Sequence, residues 1–161
     1  MTKSWIVVAD EAIARILARS KKPDELESVE ELTDPAAHAR EADLNRDAQG
    51  RRAGSATHSA RPNTPHRLRS TANATASAGE SEKHLEAAGF ARRVAEHLAR
   101  ARQAQRFDEL RIIAAPRFLG ELRKALTDDV AGCVKETLDK DLVHMTNDEI
   151  AGRLFPRQPQ A

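Results

Sequence analysis

The stretch from Ser81 to Leu126 constrains the fold most, because its pattern predicts a helix, a buried strand and a second helix. Its first part repeats apolar residues every three or four positions, the period of a helix that lies on a core. These residues are Ala87, Phe90, Ala91, Val94, Leu98 and Ala101. Ser81 is the predicted cap of this helix, and arginines 100, 102 and 106 form its basic end.

A short apolar run follows, with two adjacent β-branched residues at Ile112 and Ile113. Pro116 ends the run and suits the first turn of a helix whose apolar positions extend to Leu126. A helix, a buried strand and a helix in succession form the unit of an α/β layer. The sequence therefore predicts the α/β fold class, with a central sheet flanked by helices.

Three further strands are predicted in the first third of the chain. Trp5–Ala9 is a continuous apolar run typical of a strand covered on both faces. Ala12–Ala18 alternates between two faces and predicts a hairpin partner for the first strand. Leu26, Val29 and Leu32 stand among glutamates, a pattern that suits an antiparallel strand near the sheet edge. The predicted sheet is therefore mixed.

The C-terminal third predicts a strand at Val134–Leu138 and extended chain at Leu142–Met145. Thr146 with Glu149 three residues later is a capping box, which predicts a short last helix ending before Pro156. We expect one domain over residues 1–155 and a frayed tail at 156–161.

The segment from Arg46 to Gly79 has no apolar periodicity, and Leu68 is its one large aliphatic residue. Residues 46–69 hold six arginines against one acid, a local charge of +5 in a chain whose net charge is +1. We expect a mobile basic loop inserted in the domain, because such a segment buries too little surface to offset the entropy of ordering it. Two interpretations stay open, an RNA-binding arm and a solvated linker.

Other sequence features indicate the cellular compartment and whether a metal or cofactor is expected. Cys133 is the one cysteine of the chain, which favours a reducing compartment and a small buried hydrophobe at that position. The N-terminal apolar run is too short for a signal-peptide core or a membrane span, so we expect a cytoplasmic protein. His58 and His66 lack partners with metal-ligand spacing, and no metal or cofactor is expected.

Four segments resemble the bacterial host-attachment family, which is similar in fold to the middle domain of archaeo-eukaryotic class I peptide-chain release factors. They are residues 5–10 with 14–16, residues 90–96, residues 114–123 (AAPRFLGELR) and residues 138–145 (LDKDLVHM). The family is named for a proposed role in attachment to host cells. The resemblance implies a mixed sheet of the ribonuclease-H-like type seen in several translation components.

In release factors, the loop that corresponds to Arg46–Gly79 carries a Gly-Gly-Gln tripeptide that helps water attack the peptidyl-tRNA ester. This chain lacks the tripeptide, since Gln49 and Gly50 stand in the wrong order and Gly54 stands alone. The resemblance therefore implies a non-catalytic module that associates with the ribosome or tRNA. Its candidate RNA-binding residues are Arg46, Arg51, Arg52, Arg61, Arg67, Arg69 and Arg117.

Two residue-level alternatives and two further functions stay open beside this interpretation. Arg117 follows Pro116 at a predicted helix N-terminus. It is either part of an anion-binding site or a surface arginine that covers the end of a strand. Asp10, Asp139 and Asp141 follow predicted strands, which suits either a metal-dependent nuclease or local turn hydrogen bonds. The other two functions considered are a residual peptidyl-tRNA esterase and a factor that promotes attachment indirectly.

Overall fold

The computed structural model describes the backbone of residues 1–22, 24–50 and 69–156. The chain divides into two compact units. The sheet unit combines Met1–Asp34 with Ala87–Ala161, and the helical unit is Pro35–Glu86. The predicted turn residue Pro23 and all of the predicted tail except Pro156 lie outside the described residues.

The described strands are β1 (Ser4–Ala9), β2 (Ile13–Arg19), β3 (Leu26–Thr33), β4 (Glu109–Ala114) and β5 (Val134–Leu138). They form one mixed sheet in the order β3-β2-β1-β4-β5. β2 is antiparallel to β1 and β3, whereas β1, β4 and β5 are parallel. The predicted mixed sheet flanked by helices is confirmed, and the strand order is compatible with the ribonuclease-H-like type.

β1 and β4 lie at the centre of the sheet because their apolar runs are covered on both faces. Val7 is opposite Ile112, and both side chains are buried. β3 is an edge strand, with Leu26 buried and Glu27, Glu30 and Glu31 exposed. Charged side chains on an edge discourage pairing with another chain. Both predicted strand classes, central and edge, are therefore confirmed.

The helices are α1 (Pro35–Gly50), α2 (Arg69–Gln103), α3 (Pro116–Ala125), α4 (Asp128–Cys133) and α5 (Asn147–Leu154). In the helical unit, Arg40 of α1 forms an ion pair with Glu86 of α2. Pro116 is the first residue of α3, as its fixed φ predicts.

The predicted boundaries of the basic loop need correction, because the helices extend into both ends of Arg46–Gly79. Residues 46–50 end α1, and residues 69–79 begin α2, so Ser81 is inside a helix and does not cap it. Residues 70–80 lack apolar periodicity but contain alanines at 72, 74, 76 and 78. Alanine has the highest helix propensity, and extending an existing helix is far easier than nucleating one. Residues 51–68 lie outside the described residues.

Two apolar cores cover the two faces of the sheet. The larger core packs α2, α3 and α4 on one face, and Phe90 and Phe118 meet there with ring centroids 5.6 Å apart. The smaller core places Leu142, Val143 and Ile150 against the other face. β2 contributes Ala14 and Ile16 to the larger core and Leu17 to the smaller one. The alternation predicted for this strand is therefore confirmed.

The segment after β5 differs from the prediction of extended chain at Leu142–Met145. It forms a turn in which the Met145 amide donates to the Leu142 carbonyl over 3.0 Å. The apolar run did not distinguish a strand from a buried turn, and the carbonyls of Val143 and Met145 accept from Arg15 instead of from a strand. A turn therefore satisfies this backbone without a sixth strand.

The predicted capping box of the last helix is confirmed. The Thr146 amide donates to Glu149 Oε2 over 2.8 Å, and Thr146 Oγ1 accepts from the Glu149 amide over 3.3 Å. The hydrogen bond from the Thr146 amide is the main cause that holds the pKa of the Glu149 carboxyl below its usual value. The backbone amides of Thr146 and Glu149, two of the donors at the start of α5 that lack a partner within the helix, are thereby satisfied.

Candidate functional site

The candidate site is the carboxyl edge of the sheet, defined here as the edge where β1, β4 and β5 end. Asp10 follows β1, the Ala115–Arg117 segment follows β4, and Asp139 follows β5. β2, which follows β1 in the sequence, lies on one side of the adjacent pair β1 and β4. β5, which follows β4 in the sequence, lies on the other side of that pair. Ligands of open α/β sheets bind at the carboxyl ends of strands where the strand order reverses in this way.

All four segments that carry the family resemblance reach this edge. Residues 5–10 run along β1 and past its end, and residues 138–145 begin at the last residue of β5. Residues 114–123 run from the end of β4 into α3. Residues 90–96 reach the edge through Arg93, whose guanidinium contacts Asp34 just after β3. The edge therefore brings together segments that are far apart in the sequence.

Asp10 closes the turn between β1 and β2. Its Oδ1 accepts from the amides of Ala12 and Ile13 over 2.7 and 2.8 Å. Asp141 makes a weaker contact of the same kind with the Val143 amide at 3.4 Å, and Asp139 is exposed. Among the residues that the structure describes, no three His, Cys, Asp or Glu side chains are grouped so that they could hold a metal ion. Asp10 therefore makes the local turn hydrogen bonds of one of its two predicted interpretations.

Asp34 and Arg93 form an ion pair at the carboxyl edge. Asp34 is 3% exposed, and its Oδ1 lies 2.8 Å from Arg93 Nη2. The Arg93 guanidinium also lies 5.5 Å from the centroid of the Phe90 ring, and 54% of its side chain is exposed. A charged hydrogen bond to a buried carboxylate fixes this part of α2 beside the end of β3.

The sequence interpretation missed this pair. A signal was present in Asp34 directly before Pro35, since aspartate before proline is typical of a helix start. The partner on α2 carried no signal of its own, because Arg93 is one of several arginines on a helix.

Arg117 lies where it was predicted, in the first turn of α3 and exposed to solvent. The Ala115 amide donates to the Ala9 carbonyl over 3.3 Å, so the start of α3 is tied to the end of β1. Anion binding by Arg117 stays a prediction.

Two of the other predicted RNA-binding arginines, Arg46 and Arg69, lie within the described residues, one at each end of the segment 46–69. Arg46 is exposed on α1, and Arg69 is the first residue of α2. Arg51, Arg52, Arg61 and Arg67 lie outside the described residues, as do His58 and His66. Cys133 is buried as predicted, and its thiol donates to the Asp129 carbonyl within α4.

Within the described part of the chain, none of the helices combines the length and the apolar character that a membrane crossing requires.

The fold and the edge define a class, a mixed α/β domain with arginines and carboxylates where its parallel strands end. A family model described as "Protein required for attachment to host cells" matches residues 5–154. The chain therefore belongs to the host-attachment family. A comparison with curated proteins found no match.

Proposed function

We propose that this protein is a non-catalytic binding module that docks on the ribosome or tRNA and contacts RNA through its arginines. The observation that carries the proposal is the local charge of +5 over residues 46–69, which run from the end of α1 to the first residue of α2. Guanidinium groups match the geometry of phosphate oxygens and stay charged at every physiological pH. The proposal includes the likeness to the middle domain of release factors that the four segments imply.

A binding role also agrees with how the residues of the carboxyl edge are used. Asp10 has its Oδ1 engaged by two backbone amides, which is a turn contact rather than the open ligand set of a metal nuclease. The sequence also lacks the Gly-Gly-Gln tripeptide of release factors. Arg117 would add one phosphate contact at this edge.

Sedimentation of cell lysate on a sucrose gradient tests the proposal. At about 50 mM salt we expect the protein in ribosome fractions, and at about 300 mM salt at the top, because phosphate contacts weaken steeply with salt. A variant with Arg51, Arg52, Arg61, Arg67 and Arg69 changed to Ala should stay at the top at both concentrations. Changing the same five residues to Lys is the matched control, since it keeps the charge and should retain binding at the lower salt.

Ribonuclease treatment of the lysate separates RNA contact from contact with ribosomal proteins or other partners. Wild-type protein that stays at the top of the low-salt gradient would overturn the proposal. So would equal sedimentation of the Ala and Lys variants.

The family description favours a second function, attachment to host cells. This function takes two forms, direct display at the cell surface and an indirect effect from inside the cell. Protease treatment of intact cells distinguishes them, because a displayed protein is degraded while an internal control protein survives. Degradation would favour direct attachment and oppose the ribosome proposal.

A further inference from the structure

A cationic cleft lies at the opposite edge of the sheet from the candidate site, where β1 begins and β2 ends. This amino-edge cleft has a volume of about 540 Å³. Four of its lining residues are cationic and none is acidic. The cations are Lys3, Arg19, Lys21 and Arg106. None of them belongs to the basic segment at residues 46–69.

Acids offset little of the charge in the cleft. Lys3 Nζ donates to the Gln105 carbonyl over 3.1 Å, a neutral partner that leaves the ammonium charge in place. Lys21 is exposed, and within the part of the chain that the structure describes it forms no ion pair. Arg19 packs on the Phe155 ring, with its guanidinium carbon 4.4 Å from the centroid.

Glu27, Glu30 and Asp108 are among the acids near the cleft, and each of these three has a partner. Glu30 Oε2 is 3.8 Å from Arg106 Nη1 and 3.1 Å from His97 Nε2, so it is shared between two groups. Glu27 accepts from the Ser20 hydroxyl over 2.8 Å, and Asp108 accepts from the Lys3 amide over 2.8 Å. Among the residues that the structure describes, neither Lys3 nor Lys21 forms an ion pair, so both ammonium groups can bind an added phosphate.

The floor of the cleft is rigid. The Lys3 carbonyl accepts from the amides of Asp108 and Glu109 over 2.8 and 3.1 Å. Trp5 is 4% exposed and packs on Phe107 with ring centroids 5.1 Å apart. The Arg106 guanidinium carbon lies 5.0 Å from the centroid of the Trp5 ring. The cations near this end of β1 are thus attached to a fixed frame, which lowers the entropy cost of binding.

We propose that the amino-edge cleft binds backbone phosphates of RNA. The choice of RNA as the ligand rests on the proposed function. The presence of a cationic binding site rests only on the residues that line the cleft. Lysine ammonium groups bind phosphate as point charges, and Arg106 adds a guanidinium. The Trp5 ring is too deeply buried to stack on a base, so the cleft contacts phosphates and reads no sequence.

Trp5 makes the proposal directly testable, because it is the one tryptophan of the chain and lies beneath Arg106. Labelled oligouridylate is added to the full-length protein while RNA anisotropy and tryptophan emission are recorded. A phosphate that binds Arg106 brings a negative charge close to the indole and should therefore change the Trp5 emission. Oligoadenylate of the same length should bind with similar affinity.

The variant is Lys3→Gln with Lys21→Gln, and the matched control is Lys124→Gln with Lys135→Gln. Both pairs remove two exposed lysine charges, and the control lysines do not line the cleft. We expect the cleft variant to bind RNA about five- to tenfold more weakly at about 50 mM salt. The slope of log affinity against log salt should fall by about 1.4, since each lost phosphate contact removes about 0.7. The control should match the wild type.

The outcomes separate the cleft from the proposed function. RNA binding with unchanged Trp5 emission, or a salt slope in the cleft variant equal to that of the wild type, would overturn the cleft and leave the ribosome proposal standing. RNA binding that changes Trp5 emission in a protein absent from ribosome fractions would support the cleft and overturn the ribosome proposal. Wild-type protein that binds no RNA at low salt would overturn the cleft whatever the gradient shows.

Discussion

The two faces of the central sheet are covered in different ways. One face packs against α2, α3 and α4 through apolar side chains such as Leu98, Phe118 and Leu122. The other face is covered by residues 142–155, which bury fewer apolar residues. Burial of apolar area supplies most of the contacts on the first face, because three helices contribute to it, and the Asp34–Arg93 pair adds one charged hydrogen bond there. The second face needs directed polar contacts as well.

Arg15 provides those directed contacts. Its Nη1 donates to the carbonyls of Val143 and Met145 over 2.8 and 2.6 Å, and its Nη2 donates to Asn147 Oδ1 over 2.6 Å. The side-chain amide of Asn147 in turn donates through Nδ2 to the Leu26 carbonyl over 3.2 Å. One arginine on β2 therefore fixes the turn before α5 and the first residue of that helix. The comparison shows that the short covering segment depends more on hydrogen bonds, whereas the helical layer depends more on apolar packing.

Removing an aromatic ring from the larger core should have the largest effect on stability. Phe118 is fully buried, so Phe118→Ala should lower the free energy of unfolding by about 3–5 kcal/mol. Urea unfolding followed by circular dichroism measures the change. Phe155→Ala is the control on the other face, where the ring is partly exposed, and should cost less. An equal loss in both variants would contradict the difference between the faces.

Removing Arg15 should have the second largest effect and should act locally. Arg15→Met keeps a long apolar stem but leaves three acceptors without their donor, at a cost of about 2–3 kcal/mol. Hydrogen exchange should show lost protection in residues 142–155 while the amides of α3 stay protected. Arg19→Met is the control, because Arg19 contacts the Phe155 ring and should cost only about 0.5–1 kcal/mol. Uniform loss of protection across both faces would contradict the local role of Arg15.

The larger core was predictable from the sequence because its signals are local. The continuous apolar run in β1, the helical period of Phe90, Val94 and Leu98, and Pro116 at the start of α3 each identify an element within a few residues. The capping box at Thr146 is equally local. Patterns of this kind predict which face of an element is buried.

The contacts missed in the sequence join distant residues. Arg15 lies on β2 and its acceptors lie beyond β5, and Asp34 follows β3 whereas Arg93 is on α2. No periodicity relates such positions, so only the folded topology brings them together. The candidate site was therefore predictable in part, because the position of Arg117 was found while the Asp34–Arg93 pair was not. The amino-edge cleft, which lies outside the candidate site, was not predicted either.

The smallest predicted effect concerns the pH dependence of the smaller face. The pKa of Glu149 is lowered in the folded state, mainly by the hydrogen bond from the Thr146 amide, so the ionised carboxylate stabilises the start of α5. A lowered folded pKa means that this stabilisation is present above the unfolded pKa and is lost as the pH falls through the lowered value. Protection of the α5 amides, corrected for intrinsic exchange, should therefore decline below about pH 4.5. We expect a decline of about two- to fivefold, as for charges at helix ends.

Glu149→Gln separates this effect from general acid unfolding. The variant should start with lower protection in α5 and should lose the local decline below about pH 4.5, because glutamine does not titrate. Glu96→Gln is the matched control, since Glu96 is exposed on α2 over the larger core and should leave the pH profile of α5 unchanged. A wild-type profile in which both faces lose protection together would mean that the smaller face does not open independently of the larger one. The contrast between packing and directed hydrogen bonds would then describe contacts within a single cooperative unit.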